Sequence, residues 1–579
     1  VSHRRRLGRL LAAVTGGALL LSACAQDGGG ASDPSGSASP GATTAQTITY
    51  AGEQEFNSYN SITVNNLVNS TAMQRVLLGF WYYGEKGAIT PDKDFGTYAK
   101  TSDSPLTVDY EFNAKAVWSD GTPIDCDDAL LFWAAKSGKI KGFQVDGTTG
   151  VELVKAPDCN AGDKKFTFEY SEPFADWDSN GPGAADVLPA HVAYKAAGMS
   201  EADFIAAVKA EDADKLAEVA KFFNEGWVID GGISDMSLFP ASGPYKISAM
   251  APGQSLTLAA NDKWWGTPAA TPTIVMRVVS QEEQAQALQN REVNLIEPQP
   301  NPDLLAQLEG MQGVTVKTGD AYTYEHLDFN FDSSDFKDRK LREAFAKCVP
   351  RQLIVDNLIK PLAPEAQVLQ VRNALPFEPD YTTIAQGSGS EKYAQPDIAG
   401  AKALLEEAGK VGMEVRLGHN EPNPRRTQQT QLIADSCGQA GFKIVDAGDE
   451  KFFESGGPLY TNAYDVALFA WTGSAEVSGW ASTFTTAKEC TEAGKENNNG
   501  CYSNKEVDDL IEQLNAEVDK TKHAPLIAQI EKILWDDLAT IPLFAHPNLL
   551  AWDEELQNIV PNPAQSSVTW NMDKWTLAP

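Results

Sequence analysis

Strand-like and helix-like segments alternate along this chain without a fixed-period repeat, which predicts an α/β fold with mixed sheets. Two further observations support that class. The 579 residues exceed what a single hydrophobic core serves and leave room for roughly two to four domains. The composition, 42% hydrophobic and 22% charged, belongs to a globular chain and not to a disordered one.

The chain opens with Arg4, Arg5, Arg6 and Arg9, an apolar run over residues 10–21, and small residues before Cys24. That order is the pattern of an export signal, assigned to residues 1–23. The Leu21-Ser-Ala-Cys24 ending resembles the lipobox of bacterial lipoproteins, which implies a diacylated Cys24 at the mature N-terminus. An ordinary cleavage with an incidental cysteine is the alternative. Residues 24–46, rich in Gly, Ser, Ala, Pro and Thr, read as a flexible tether holding the body roughly 25 Å from the membrane. The apolar run is too short to span a bilayer, and no later stretch reaches ~18 apolar residues. Membrane contact is therefore expected through the lipid alone, on the extracellular face of a Gram-positive type of cell.

Ordered structure is expected from Thr47, where a β-prone run follows the tether. Residues 106–112 alternate as a half-buried strand. Asp120-Gly-Thr-Pro123 reads as a turn, and Asp125 as the N-cap of a helix with Asp128 in its first turn. Those acids also have the chemistry of metal ligands, but capping accounts for them. Residues 201–223 carry the period of one amphipathic helix. Ser242-Gly-Pro-Tyr-Lys-Ile247 is a turn feeding a strand, and Ser280 with Glu283 predicts a capped helix through Arg291. Residues 323–331 alternate as a strand and 338–358 are helical in pattern. Residues 399–408 and 425–440 are helices ended by Gly409 and Gly441. Residues 464–471 read as a buried strand, and 507–538 as mostly helix.

The formal net charge of −32 repels phosphate backbones, so nucleic acid is excluded as a partner. Besides Cys24 there are Cys126, Cys159, Cys348, Cys437, Cys490 and Cys501, an even number that suggests disulfides in an exported protein. Proximity favours Cys490–Cys501 and Cys126–Cys159, leaving Cys348 with Cys437. Metal ligation is the rival reading, but no Cys-x-x-Cys occurs. Enzyme signatures are missing: there is no Gly-x-Ser-x-Gly, no His-Glu-x-x-His and no phosphate loop. The six histidines (His3, His191, His326, His419, His523, His546) include no pair spaced to share a helix face. His326-x-Asp328 shares one face of a strand and reads as structural. No spacing selects a carboxylate pair for glycoside hydrolysis. No catalytic residue, metal or cofactor is assigned.

Five stretches in order resemble the extracellular solute-binding proteins of ABC importers, the dipeptide/oligopeptide/nickel-binding group known as family 5. They are residues 106–133 with Asp-Gly-Thr-Pro and Asp-Asp-Ala, Ser242-Gly-Pro-Tyr245, residues 327–344, residues 401–409, and Tyr464-Asp through Trp471-Thr-Gly473. The Cys490 and Cys501 pair also sits where dipeptide-binding relatives have a disulfide. The resemblance implies a two-lobed flytrap fold with a hinge, whose closed form docks on ABC permease subunits, and a monomer. Carried over, lobe I comprises 47–318 with an inserted subdomain near 91–230, lobe II comprises 319–543, and 544–579 return to lobe I.

The resemblance also implies where ligand sits. Peptide-binding members carry an Asp just after Trp-Thr-Gly that holds the peptide ammonium; here Ser474 stands there, followed by Ala475 and Glu476. Glu476 is the substitute anchor. His419-Asn-Glu-Pro-Asn-Pro, with Arg425 and Arg426 behind it, occupies the place of the carboxylate-binding Arg, so Arg425 is an anion anchor or part of a helix start. Trp471, Thr472, Gly473 and Ser474 lead the expected ligand contacts. Phe56 and Asn57 after the first strand, Gly243 of the turn, and Tyr324 and His326 past the hinge complete them. Oligopeptides are the expected cargo. Oligosaccharides are the alternative, which 13 Trp would suit by stacking. A secreted glycosidase-type lipoprotein, or a receptor that senses without delivering, ranks behind both.

Overall fold

In a computed structural model, the described residues are 46–578 apart from 65–66, 146, 333, 455, 474, 480–482 and 492–496. The signal, Cys24 and Ser474 lie outside them. The strands in chain order begin with β1 (Thr47–Gly52), a hairpin of β2 (Trp81–Tyr83) and β3 (Ile89–Pro91), and a meander of β4 (Gly96–Asp103), β5 (Leu106–Phe112) and β6 (Lys165–Glu169). Then come β7 (Tyr245–Ala251), β8 (Ser255–Ala260), β9 (Thr273–Val278), β10 (Leu295–Ile296) and β11 (Val314–Phe329). The remainder are β12 (Glu414–Asn420), β13 (Lys443–Asp449), β14 (Val466–Thr472), β15 (Thr540–Asp553), and the short pair β16 (Leu556–Gln557) and β17 (Thr576–Leu577).

Ten of these form one mixed sheet in the order β13-β12-β14-β11-β15-β10-β1-β9-β8-β7. β1 runs parallel to β9 and β10, and β12 runs parallel to β13 and β14. The two long strands β11 and β15 are antiparallel and carry the sheet from one lobe into the other. Their register shifts between Asp320 and Tyr324 and again between Glu325 and His326. Side-chain alternation on β11 then divides lobe II. Leu327 and Phe329 pack with Phe345, Leu417 and Ile433 on one face. Tyr322 and Tyr324 pack with Val371, Ile527 and Leu534 on the other. Lobe I has a separate core around Phe80, Tyr110, Trp118, Trp133 and Trp227.

The expected strands at 47–51, 106–112 and 464–471 form, and β7 follows the Ser242-Gly-Pro-Tyr turn. Asp125 caps the helix Cys126–Lys136: its side chain accepts from the Asp127 N–H, and Asp128 reaches back to the N-cap. Gly409 and Gly441 end their helices at positive φ, 66° and 106°, where a side chain would be strained.

Four elements differ from expectation. The 201–223 segment is two helices, Glu201–Lys209 and Ala213–Glu225, because Glu211 turns to φ 52° and Asp212 caps the second. The 338–358 helix breaks after Cys348, where Pro350 lacks the N–H that continuation requires. Ser280 makes no backbone cap; its hydroxyl donates to Glu283 at 2.7 Å, and the helix ends at Gln289. β11 starts at Val314, well before 323. The three disulfides are Cys126–Cys159, Cys348–Cys437 and Cys490–Cys501, the pairing that proximity favours.

Candidate ligand-binding site

The lobes meet where the loop after β6 faces the loop after β14. Asp176 accepts from the Val477 N–H at 3.1 Å and the Ser478 N–H at 2.8 Å. Tyr83, at the end of β2, donates its hydroxyl to Glu476 Oε1 at 2.6 Å. Farther along, Ala175 N–H donates to the Asn515 carbonyl at 2.7 Å, and Lys520 pairs with Asp178 at 2.6 Å. Burial pushes the Asp176 carboxyl upward, against the two backbone N–H groups that favour its charge.

These contacts close over two adjoining pockets that share Lys136 and Asp186. One is lined by Phe132, Phe174, Asp176, Asn180, Glu476 and Ser478 among others, and so draws on both lobes. The other is walled by Trp81, Tyr82, Tyr83 and Gln74. Trp81 is fixed there by its indole N–H to the Gly181 carbonyl at 2.8 Å, and a Cβ on Gly183 would collide with its ring. The lining thus combines one cation, three carboxylates and an aromatic wall.

The expected residues fall into three places. Trp471, Tyr324 and His326 come together: the His326 ring lies 4.0 Å from Trp471 centroid to centroid, and Tyr324 packs edge-on to Trp471 at 6.0 Å. Register explains this, since Tyr324 on β11 pairs with Trp471 on β14 and His326 with Phe469. His326 is fully buried, with Nδ1 2.8 Å from Asp328. Next to them, Thr472 and Thr323 hydroxyls meet at 3.0 Å, and Gly473 N–H donates to the Tyr322 carbonyl. Ala475 and Val477 pack on the same aromatic cluster.

Arg425 lies on the opposite face of β11. There Glu325, fully buried, accepts from Arg426 Nε at 2.9 Å, Gln429 at 3.1 Å and His546 at 2.9 Å. Arg425 stands 4.0 Å from the same carboxylate and over the Phe544 ring. Burial opposes ionisation of Glu325, yet the His546 hydrogen bond and the Arg426 charge hold its carboxyl well below the ordinary value. Arg425 thus stands beside the hinge strands, with its buried Nε making no hydrogen bond to the described residues.

Phe56 and Gly243 belong to the interior of lobe I, and Asn57 lies exposed beside Phe56. Phe56 is buried in a pocket with Val68, Ala72, Met250 and Met276. Asn57 exchanges side-chain and backbone hydrogen bonds with Asn69. Gly243 donates to the Val76 carbonyl, and a Cβ there would strike the Arg75 backbone. Sequence reasoning did not single out Lys136, Asp176, Asp186 or the Trp81-Tyr82-Tyr83 wall. The aromatic run 80–83 was the one available signal.

The comparisons with known proteins agree with this architecture. The model of bacterial extracellular solute-binding proteins, family 5 (middle region), matches residues 91–489. An uncharacterized lipoprotein of Mycobacterium tuberculosis is 31% identical over 555 residues, covering 93% of this chain and 94% of its own length. Among solved structures, the periplasmic EDTA-binding protein EppA has a TM-score of 0.81 at 20% identity, covering 92% of this chain and 97% of that one. The oligopeptide-binding protein AppA of Bacillus subtilis, in complex with a nonapeptide, has a TM-score of 0.69 at 17% identity, covering 92% and 99%. Among the described residues no helix is long and apolar enough to cross a membrane. With two lobes joined through β11 and β15 and a family match spanning most of the ordered body, the chain belongs to the bacterial extracellular solute-binding proteins of family 5, which bind and do not catalyse.

Proposed function

We propose that this protein captures oligopeptides by closing its lobes and delivers them to the permease of an ABC importer, held at the extracellular face of the membrane by lipid on Cys24. The observation that carries the reading is the pocket between the lobes, where Glu476 and Asp176 of opposite lobes meet Lys136 and Asp186. A peptide brings an ammonium group for the carboxylates and a carboxylate for Lys136, while Trp81, Tyr82 and Tyr83 offer apolar faces to its side chains. Glu476 stands two residues beyond the place of the family's ammonium-binding Asp. Three lining acids against one lysine favour a cationic group over a polyanion such as EDTA, the ligand named for EppA. AppA, of the same fold, holds a nonapeptide.

Attachment through Cys24 keeps the receptor close to its permease and raises the effective concentration without further contacts. A panel of di- to nonapeptides and oligosaccharides tests the cargo by thermal shift, since a ligand that binds only the folded state raises Tm with concentration. Peptides are expected to raise it, and Glu476→Gln to weaken that binding about tenfold, the weight of one charge-assisted hydrogen bond. A shift with oligosaccharides and none with peptides overturns the reading.

A further inference from the structure

We propose that His419, Glu421 and Asp446 form a binding site for a divalent transition-metal cation of the zinc class, separate from the ligand pocket. β12 and β13 are parallel neighbours, with His419 opposite Gly448 and Leu417 opposite Asp446. Leu417 packs with Ile433 and Cys437 of the helix Pro424–Ala440, and His419, two residues on along β12, shares that side of the strand. One ligand atom from each of the three residues lies within 4.8 Å of the others.

The hydrogen bonding of the imidazole points to what completes the site. His419 Nδ1 lies 3.2 Å from the backbone carbonyl of Asn420, which can only accept. Nε2 sits 2.9 Å from Asp446 Oδ1, so the tautomer that donates from Nδ1 turns the Nε2 lone pair toward that carboxylate. His419 is fully buried. A proton to a backbone carbonyl on one ring nitrogen and a lone pair on the other is the usual second-shell arrangement of a ligating histidine.

The surroundings are also shaped for Glu421. Its carboxylate lies over Gly448, where a Cβ would collide with Oε1, so glycine leaves the room that the third donor occupies. Gly448 N–H donates to Asp446 Oδ1 at 3.1 Å and orients that carboxylate. Asp446 also lines a groove with Thr430, Gln431 and Ile444, and the buried Thr430 hydroxyl has no protein partner. One nitrogen and two carboxylates suit zinc or manganese better than calcium, which takes six to eight oxygens. Three protein donors leave a coordination position for water or an outside ligand.

The test is zinc titration of the full ordered chain against a chromophoric competitor, with 15N NMR of the His419 ring. One zinc equivalent is expected, weakened at least tenfold by Glu421→Gln and by Asp446→Asn. On saturation the Nε2 resonance should take a metal-bound shift with no proton on it, while Nδ1 carries one. Glu421→Gln leaves the His419–Asp446 contact in place, so a melting curve like that of the parent protein shows that lost binding is not lost folding. Affinity within twofold of the parent in both variants, or an Nε2 still protonated at saturating zinc, overturns the proposal.

Discussion

Glu297 illustrates how a single side chain couples burial to pH. It is half-buried at the end of β10, and Tyr50 donates to its Oε2 at 3.3 Å while the Ser567 hydroxyl donates to the same oxygen. Burial pushes its carboxyl up to about 7, with the two hydroxyls acting in the opposite direction. The unfolded chain releases this proton near the ordinary value of 4.5, so between about 4.5 and 7 the folded protein holds a proton that the unfolded chain has lost. The folded state is therefore favoured on the acid side, and the benefit disappears as pH rises through that window. Glu297→Gln should flatten this component. Between pH 5 and 7.5 the variant's Tm is expected to gain about 2 °C or more on the parent. Parallel Tm profiles would show that Glu297 does not titrate as described.

Other residues at this scale differ in how far the sequence exposes them. Trp471, Tyr324 and His326 are legible because strand alternation puts Tyr324 and His326 on one face and the register brings Trp471 to it. Lys136 and Asp186 are not, since a lone lysine at a helix end and an aspartate in a loop join the pocket only through tertiary contacts.

At the scale of elements, caps and stops are the readable part. Asp125, Gly409 and Gly441 act locally and are found where their chemistry places them. β15 shows the opposite case. Pro542 and Pro547 argue against an interior strand, since proline cannot donate to a ladder. They are tolerated because Pro542 adjoins the shift after Glu325 and Pro547 faces Asp320 at the edge of the other irregularity. The central strand pair was therefore hidden by residues that mark where its ladder is interrupted.

The Cys348–Cys437 disulfide works at the same scale. It ties the end of Arg339–Cys348 to Pro424–Ala440, two helices on the same face of the lobe II sheet, across a separation of 89 residues. Both cysteines are fully buried, so alanine at both positions removes the crosslink and leaves a small cavity in place of the two sulfurs. The expected cost is about 3–5 kcal/mol, by the loop-entropy account. Urea unfolding checks it: the midpoint should fall with the slope little changed. An unchanged midpoint would mean that packing alone holds the two helices.

For the whole molecule, the proposed capture depends on the balance between separated and joined lobes, and ligand shifts it only by binding the joined form better. Asp176 is the residue that commits most to the joined form. It accepts two backbone N–H groups from the opposite lobe, and both would return to water on opening. The Lys520–Asp178 pair also crosses the cleft, but it is largely solvated at the lysine and contributes little. Asp176→Ala should therefore weaken binding of a peptide that gives a thermal shift by about tenfold, mainly through faster dissociation. Lys520→Ala should change it less than twofold. Small-angle scattering supplies the conformational readout. Peptide should shrink the radius of gyration of the parent protein and of Lys520→Ala to the same value, and that of Asp176→Ala only at higher peptide concentration. If Asp176→Ala binds and compacts like the parent, the bonds from Asp176 follow closure and do not help to drive it, and the preference for the joined state must then come from the ligand's own contacts with Glu476 and the walls of the pocket.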